Sequence, residues 1–201
     1  MQKFAKAISL IFHPLIMPLV GVVFFFSKSP RYIPEPVMYA KVYAISLLTI
    51  VVPLLVFYLL KNKGIVATIY LSKVKERIIP LIIQCVLVLL ILNRVTPANE
   101  LIELYYFFLG ILVSSMACLM LAFFKLKASI HMTAIGGVLM FFMAIGIHYQ
   151  ININGSLALL FVISGAIASS RWILKAHTPA ELIIGFVVGF IPQLTMLNYW
   201  L

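Results

Sequence analysis

The chain has 201 residues, of which 64% are hydrophobic and only 10% charged, with a mean hydropathy of +1.17. Soluble domains carry about a quarter charged residues, so a soluble globular class is excluded and an integral membrane protein is indicated. The net charge of +10 does not point to nucleic acid, because the basic residues lie in short segments between apolar runs rather than on one soluble face; anionic membrane lipids or a phosphorylated substrate suit that distribution.

Residues 8–26 form the first apolar run, after Lys3 and Lys6. It is long for a signal peptide and is interrupted by His13, Pro14 and Pro18, so a kinked first span is expected. His13 reads either as an intramembrane functional group or as a histidine capped beside a proline kink, and no role is assigned to it. A proline-rich loop follows at 27–36, then a second span at 37–60. Both runs are long enough to cross ~30 Å of hydrocarbon at ~1.5 Å per residue. A basic segment, 61–77, ends in S-K-V-K-E-R-I-I-P. The third span is expected at 78–92, a polar turn at 93–103 and the fourth span at 104–124.

The next basic loop, 125–131, reads K-L-K-A-S-I-H. The fifth span, 132–149, carries Gly136, Gly137 and Gly146, which permit close helix approach. The sixth run, 156–170, is rich in Ala, Gly and Ser, and the seventh covers 179–197. Cys85 and Cys118 each lie inside an apolar run with no second cysteine or histidine at ligand spacing, so they read as packing residues. Only helices satisfy their backbone groups locally in lipid. The expected fold is therefore a single all-α membrane domain over 1–201, a polytopic helical bundle of about seven spans (six if the first run does not cross), with its chemistry-bearing core at about 61–198.

Two spans separate Arg77 from Ser129, and two more separate His131 from Arg171, so these clusters fall on one membrane face. That face collects Lys73, Lys75, Arg77, Lys127, Ser129, His131, Arg171, Lys175 and His177, with Glu181 as the nearby carboxylate. Thr178, Pro179 and Glu181 open the last helix with an N-cap, a first-turn proline and a capping box. His177 and Glu181 lie about one turn apart at a helix N-terminus, which attracts anions. Taken alone, Thr178 and Glu181 are also explained as a plain cap, and Arg171 and Lys175 as charges flanking spans. Several fixed cations with two histidines suit a tetrahedral dianion, one histidine attacking and the other protonating the leaving group.

The segment 170–181 resembles the third signature of the type 2 phosphatidic acid phosphatase family, S-R-x5-H-x3-D: Ser170, Arg171 and His177 match, and Glu181 stands for the Asp. Residues 128–131 are similar to the second signature, P-S-G-H, retaining Ser129 and His131. The first signature, K-x6-R-P, is matched by Arg77, with the proline at Pro80 and Tyr70 at the lysine position; Lys73, or else Lys75, is the substitute, and both are also explained as juxtamembrane charges. The resemblance covers 73–181. It implies a lipid phosphatase in which His177 forms a phosphohistidine, Glu181 orients its imidazole and His131 protonates the leaving alkoxide. Lys73, Arg77, Ser129, Ser170 and Arg171 would hold phosphate oxygens. No cofactor or metal is implied, and the chain contains no Asp.

Expected substrates are phosphatidate, phosphatidylglycerol phosphate, an isoprenyl diphosphate or a phosphorylated lipid A. Competing readings are a phosphotransferase of the same fold, a transporter, and a non-catalytic lipid- or anion-binding relative. The family's bacterial members mostly work on the outer side of the inner membrane. If all seven runs cross, positive-inside counting instead puts the site in the cytoplasm, since Lys3, Lys6, Lys61, Lys63, Lys125 and Lys175 share its face against Lys28, Arg31, Lys41 and Arg94 opposite; if the first run does not cross, the N-terminus changes face.

Overall fold

The computed structural model describes residues 1–66 and 74–201; the expectations that fall on Tyr70 and Lys73 lie outside the described residues. Every regular element among the described residues is helical. Proline decides where the first run breaks, because it has no N–H to continue a helix and its ring clashes with the preceding turn. Helix α1, Gln2–Ile11, stops ahead of Pro14, and α2, Met17–Lys28, restarts with Pro18 in its first turn. Helix α3, Glu35–Ser46, passes through a π turn at Leu47–Val51 into α4, Val52–Asn62, with Pro53 in its first turn. The missing N–H of Pro53 accounts for the local widening of the ladder. The remaining helices are α5, Ile78–Arg94; α6, Ile102–Phe123; α7, Ile130–His148; α8, Asn154–Ile173; and α9, Pro179–Met196.

Five stretches among the described residues are long and apolar enough to cross a membrane: Glu35–Asn62, Ile102–Phe123, Ile130–His148, Asn154–Ile173 and Pro179–Tyr199. This corrects the expectation of about seven spanning helices. The Pro14 break leaves α2 with 12 residues, about 18 Å at ~1.5 Å per residue. Helix α5 has 17 residues, about 25 Å on the same rise, short of ~30 Å of hydrocarbon. The chain nonetheless leads along α7 from His13, beside His131 at the start of that helix, to Ser29, whose hydroxyl meets the Tyr149 hydroxyl just past its end.

Helix α7 is the central element, packing on α9, α2 and α8, while α6 joins α5 to α9 and α1 lies on α8. The core is aromatic and aliphatic: Phe24 stacks on Phe142 and Phe107 on Phe141, with Phe25, Phe108, Ile135 and Leu139 also buried. Small residues set the α7–α9 approach. A Cβ at Gly189 would stand 1.9 Å from the Thr133 carbonyl oxygen, and one at Gly185 2.5 Å from that of Ser129. Of the three glycines expected to permit close approach in the fifth span, a Cβ at Gly136 would stand 2.6 Å from the Phe186 carbonyl oxygen and one at Gly137 3.5 Å from that of Gly189, whereas one at Gly146 would meet the Ile153 side chain at 2.7 Å.

The bundle end away from Arg77 and His177 is neutralised internally. Glu103 is fully buried, pairs with Arg31 at 3.1 Å and accepts from the Tyr149 hydroxyl at 2.8 Å. Lys41 pairs with Glu100 at 2.6 Å. Replacing Gly189 by Ala should lower the thermal midpoint in detergent, since backbone must move to admit the methyl, at a cost of about 1–3 kcal/mol or more. Gly165→Ala, where nothing lies within 4 Å of the added carbon, should be neutral or stabilising by up to ~1 kcal/mol. Equal midpoints for the two variants would remove the close-contact account.

Candidate active site

Three helix starts and one helix end meet at one end of the bundle. Ser129 is the N-cap of α7, its hydroxyl accepting from the Met132 amide, and it is fully buried. Its own amide donates to the Glu181 carbonyl at 3.1 Å, which ties the first turn of α9 to the start of α7. Arg77 stands at the start of α5, buried, and donates to the Ala128 carbonyl at 2.8 Å. Lys127 donates to the Ala176 carbonyl at 2.7 Å. Arg77, Ser129, His131, Arg171, His177 and Glu181, far apart in sequence, are thereby brought to one locality.

His177 precedes α9 and is buried. Its Nδ1 lies 2.7 Å from Glu181 Oε2, and the same oxygen accepts from the Thr178 amide at 3.3 Å. The Thr178 hydroxyl accepts from the Glu181 amide, so the capping box is complete. One carboxylate thus both caps α9 and hydrogen-bonds the His177 ring. A carboxylate only accepts, so the proton of this bond belongs to Nδ1, and Nε2 is the nitrogen left for chemistry. Burial foremost, and then the cations Arg77, Lys127 and Arg171, depress the imidazole from 6.5 to about 3. It is held neutral despite its carboxylate partner. Burial likewise lowers Lys127 from its ordinary value, with Arg77 and Arg171 adding to the effect.

The other expected residues divide. His131 Nε2 lies 3.1 Å from the Ser9 carbonyl oxygen. A carbonyl only accepts, so this nitrogen carries a proton and directs it at α1. Ser170 donates its hydroxyl to the Ala5 carbonyl at 2.5 Å and shares a bond with the Ser9 hydroxyl, fastening α1 to α8. The hydroxyls of Ser129 and Ser170, both expected at phosphate oxygens, are therefore engaged in holding helices. Lys75 is exposed and borders neither of the two cavities at His177, whereas Arg77 and Arg171 are both buried at the site.

A cavity of about 420 Å³ opens from Arg77, Arg171, His131 and His177 and descends between the helices past Leu81, Leu87 and Val138 to Gln193 and Phe107. From Arg77 to Leu87 the wall of α5 is about 15 Å long at ~1.5 Å per residue. The floor is closed by Gln193, which donates to the Phe107 carbonyl at 2.8 Å. Its size falls within the ~300–1,000 Å³ of small-molecule sites. His177 also borders a second, more open recess with Lys127, Trp172, Lys175 and Glu181. Among the described residues no group of three or more His, Cys, Asp or Glu is placed to hold a metal ion.

Sequence reasoning missed that α1 belongs to this site. The signal was present: Lys6, Ser9, Leu10 and His13 recur at the i, i+3, i+4, i+7 spacing of one helix face, and all four border the cavity. No family model matches the chain, nor does any curated protein or solved structure.

The His177 environment fixes an acid response. The unfolded chain takes up this proton near 6.5 and the folded chain only near 3. The group leaves stability intact above about pH 6.5 and subtracts from it as the pH falls toward about 3. Thermal midpoints of the wild type should therefore fall more steeply between pH 7 and 4.5 than those of His177→Asn. Parallel profiles would mean that His177 is not the buried neutral group.

Proposed function

We propose that the chain is a membrane lipid phosphate or diphosphate phosphatase, similar in its site residues to the type 2 phosphatidic acid phosphatases, working through a phosphohistidine. The observation that carries this reading is the neutral, carboxylate-oriented His177 beside buried Arg77 and Arg171 at the head of an apolar cavity. The phosphoryl group sits against Arg77 and Arg171, and the hydrocarbon chain descends along Leu81 and Leu87. The Nε2 lone pair of His177 attacks phosphorus, the phosphorus–oxygen bond to the lipid breaks, and the lipid departs with that oxygen and the bond's electron pair, an alkoxide taking a proton from water and a lipid monophosphate needing none. Glu181 holds the Nδ1 proton and stabilises the charge that develops on the ring. Fixed guanidinium groups in a desolvated site stabilise the charge of the transferring phosphoryl group. Water then cleaves the phosphorus–nitrogen bond and releases inorganic phosphate; the open recess bounded by Lys127 and Lys175 offers water a route to His177, which favours hydrolysis over transfer to a second alcohol.

Purified protein should release inorganic phosphate from lipid phosphates in detergent micelles, with vanadate inhibiting as a transition-state mimic. His177→Ala should abolish both turnover and acid-labile phosphoenzyme. Glu181→Gln should lower kcat by about 10²–10⁴ while the protein stays folded, since an amide still caps the helix but stabilises the imidazolium poorly. Near wild-type turnover in His177→Ala would sink the assignment.

The site end carries Lys3, Lys6, Lys61, Lys63, Lys125 and Lys175, while opposite them Arg31 and Lys41 are paired with Glu103 and Glu100. Positive-inside counting gives a cytoplasmic site provided that the shorter helices α2 and α5 also carry the chain from one membrane face to the other. Single cysteines at Lys63 and Ser29, in a background lacking Cys85 and Cys118, test this. An impermeant thiol reagent applied to intact cells should label position 29 and spare 63; the reverse pattern puts the site outside.

A further inference from the structure

The groups around His131 say what kind of leaving group the site accepts. An alkoxide needs a proton as its bond to phosphorus breaks. The Nε2 proton of His131 is instead donated to the Ser9 carbonyl at 3.1 Å. Beside it stands His13, its ring edge-on to His131 at 5.6 Å between centroids. His13 Nδ1 accepts the Leu15 amide at 3.3 Å, so its Nε2 carries the ring proton. Capping the kink uses only Nδ1, and no described residue accepts from Nε2. Lys6, on α1, borders the same cavity. This side of the cavity thus offers an N–H donor and an ammonium, while the proton expected for an alkoxide points at the backbone.

We propose that His13 and Lys6 form a leaving-group subsite for a second phosphate, which makes the chain selective for lipid diphosphates over lipid monophosphates. The inference rests on the phosphatase reading above. His177 Nε2 attacks the terminal phosphorus, whose bond to the bridging oxygen breaks. That oxygen leaves with its electron pair as part of the lipid monophosphate, which departs as an anion needing no proton. The N–H of His13 and the ammonium of Lys6 balance the charge that accumulates on it. Water then cleaves the phosphohistidine to give inorganic phosphate and restores His177.

The test compares farnesyl diphosphate with farnesyl monophosphate, which share a chain and differ only in what leaves. The wild type should favour the diphosphate in kcat/KM. His13→Asn retains a short acceptor for the Leu15 amide, as in an Asx turn, and removes the donor that reaches the cavity. It and Lys6→Met should each lower the diphosphate-to-monophosphate ratio about tenfold or more, the worth of a hydrogen bond to a charged group, with Lys6→Arg restoring it. Competition binding of the non-hydrolysable farnesyl methylenediphosphonate should weaken in the same two variants, and this readout is independent of turnover. A ratio and a binding constant unchanged in both variants, or a wild type that favours the monophosphate, overturns the subsite and leaves the phosphatase reading standing. A wild type that binds the diphosphonate through His13 and Lys6 yet releases phosphate from no lipid supports the subsite and overturns the catalytic reading. Should His13→Asn fail to fold, Lys6→Met, on an exposed residue, carries the comparison.

Discussion

The hydrogen bond from the Ser129 amide to the Glu181 carbonyl is the constraint on which the site depends. It joins the first turns of α7 and α9, and it forms only because Gly185 and Gly189 let the α9 backbone lie against the backbone of Ser129 and Thr133. With the two helix starts held together, their partial positive ends converge, and His131 and His177 share one locality. Any side chain at either glycine would push the helices apart and move one histidine relative to the other. Packing and chemistry here are the same contact seen from two sides.

The two ends of the bundle handle charge in opposite ways. At the far end Arg31 and Lys41 meet Glu103 and Glu100, so burial there is compensated within the chain. At the site end Arg77, Lys127 and Arg171 lie close enough to His177 that their charge, after burial, helps keep its imidazole neutral.

The first apolar run carries more of the site than a membrane anchor would. Pro14 ends α1 early, and that interruption turns His13 toward His131 instead of leaving it on a helix face among lipid tails. Ser9 supplies a carbonyl to His131, and Ala5 and Ser9 together hold the Ser170 hydroxyl. Helix α1 thereby forms one wall of the cavity, and the kink that shortens α2 below a membrane's thickness is what brings that wall to the chemistry.

Composition and hydrophobic run length determined an all-helical membrane chain, and the parity of the runs put Arg77, His131 and His177 at one end, because each apolar run reverses the chain. The capping box at Thr178 and Glu181 was equally legible, since it depends only on local spacing. Span count was not: run length counts residues, whereas a spanning helix needs unbroken backbone, and Pro14 interrupts it. The roles of Ser129 and Ser170 were hidden for a related reason. A hydroxyl serves a ligand or a helix according to which acceptors and donors lie within hydrogen-bond reach, and those come from α1 and from the turn of α7. Gly185 and Gly189, His13 and the His131–Ser9 bond were likewise settled only in three dimensions, where residues more than a hundred positions apart become neighbours and each polar group takes the partner that burial leaves it.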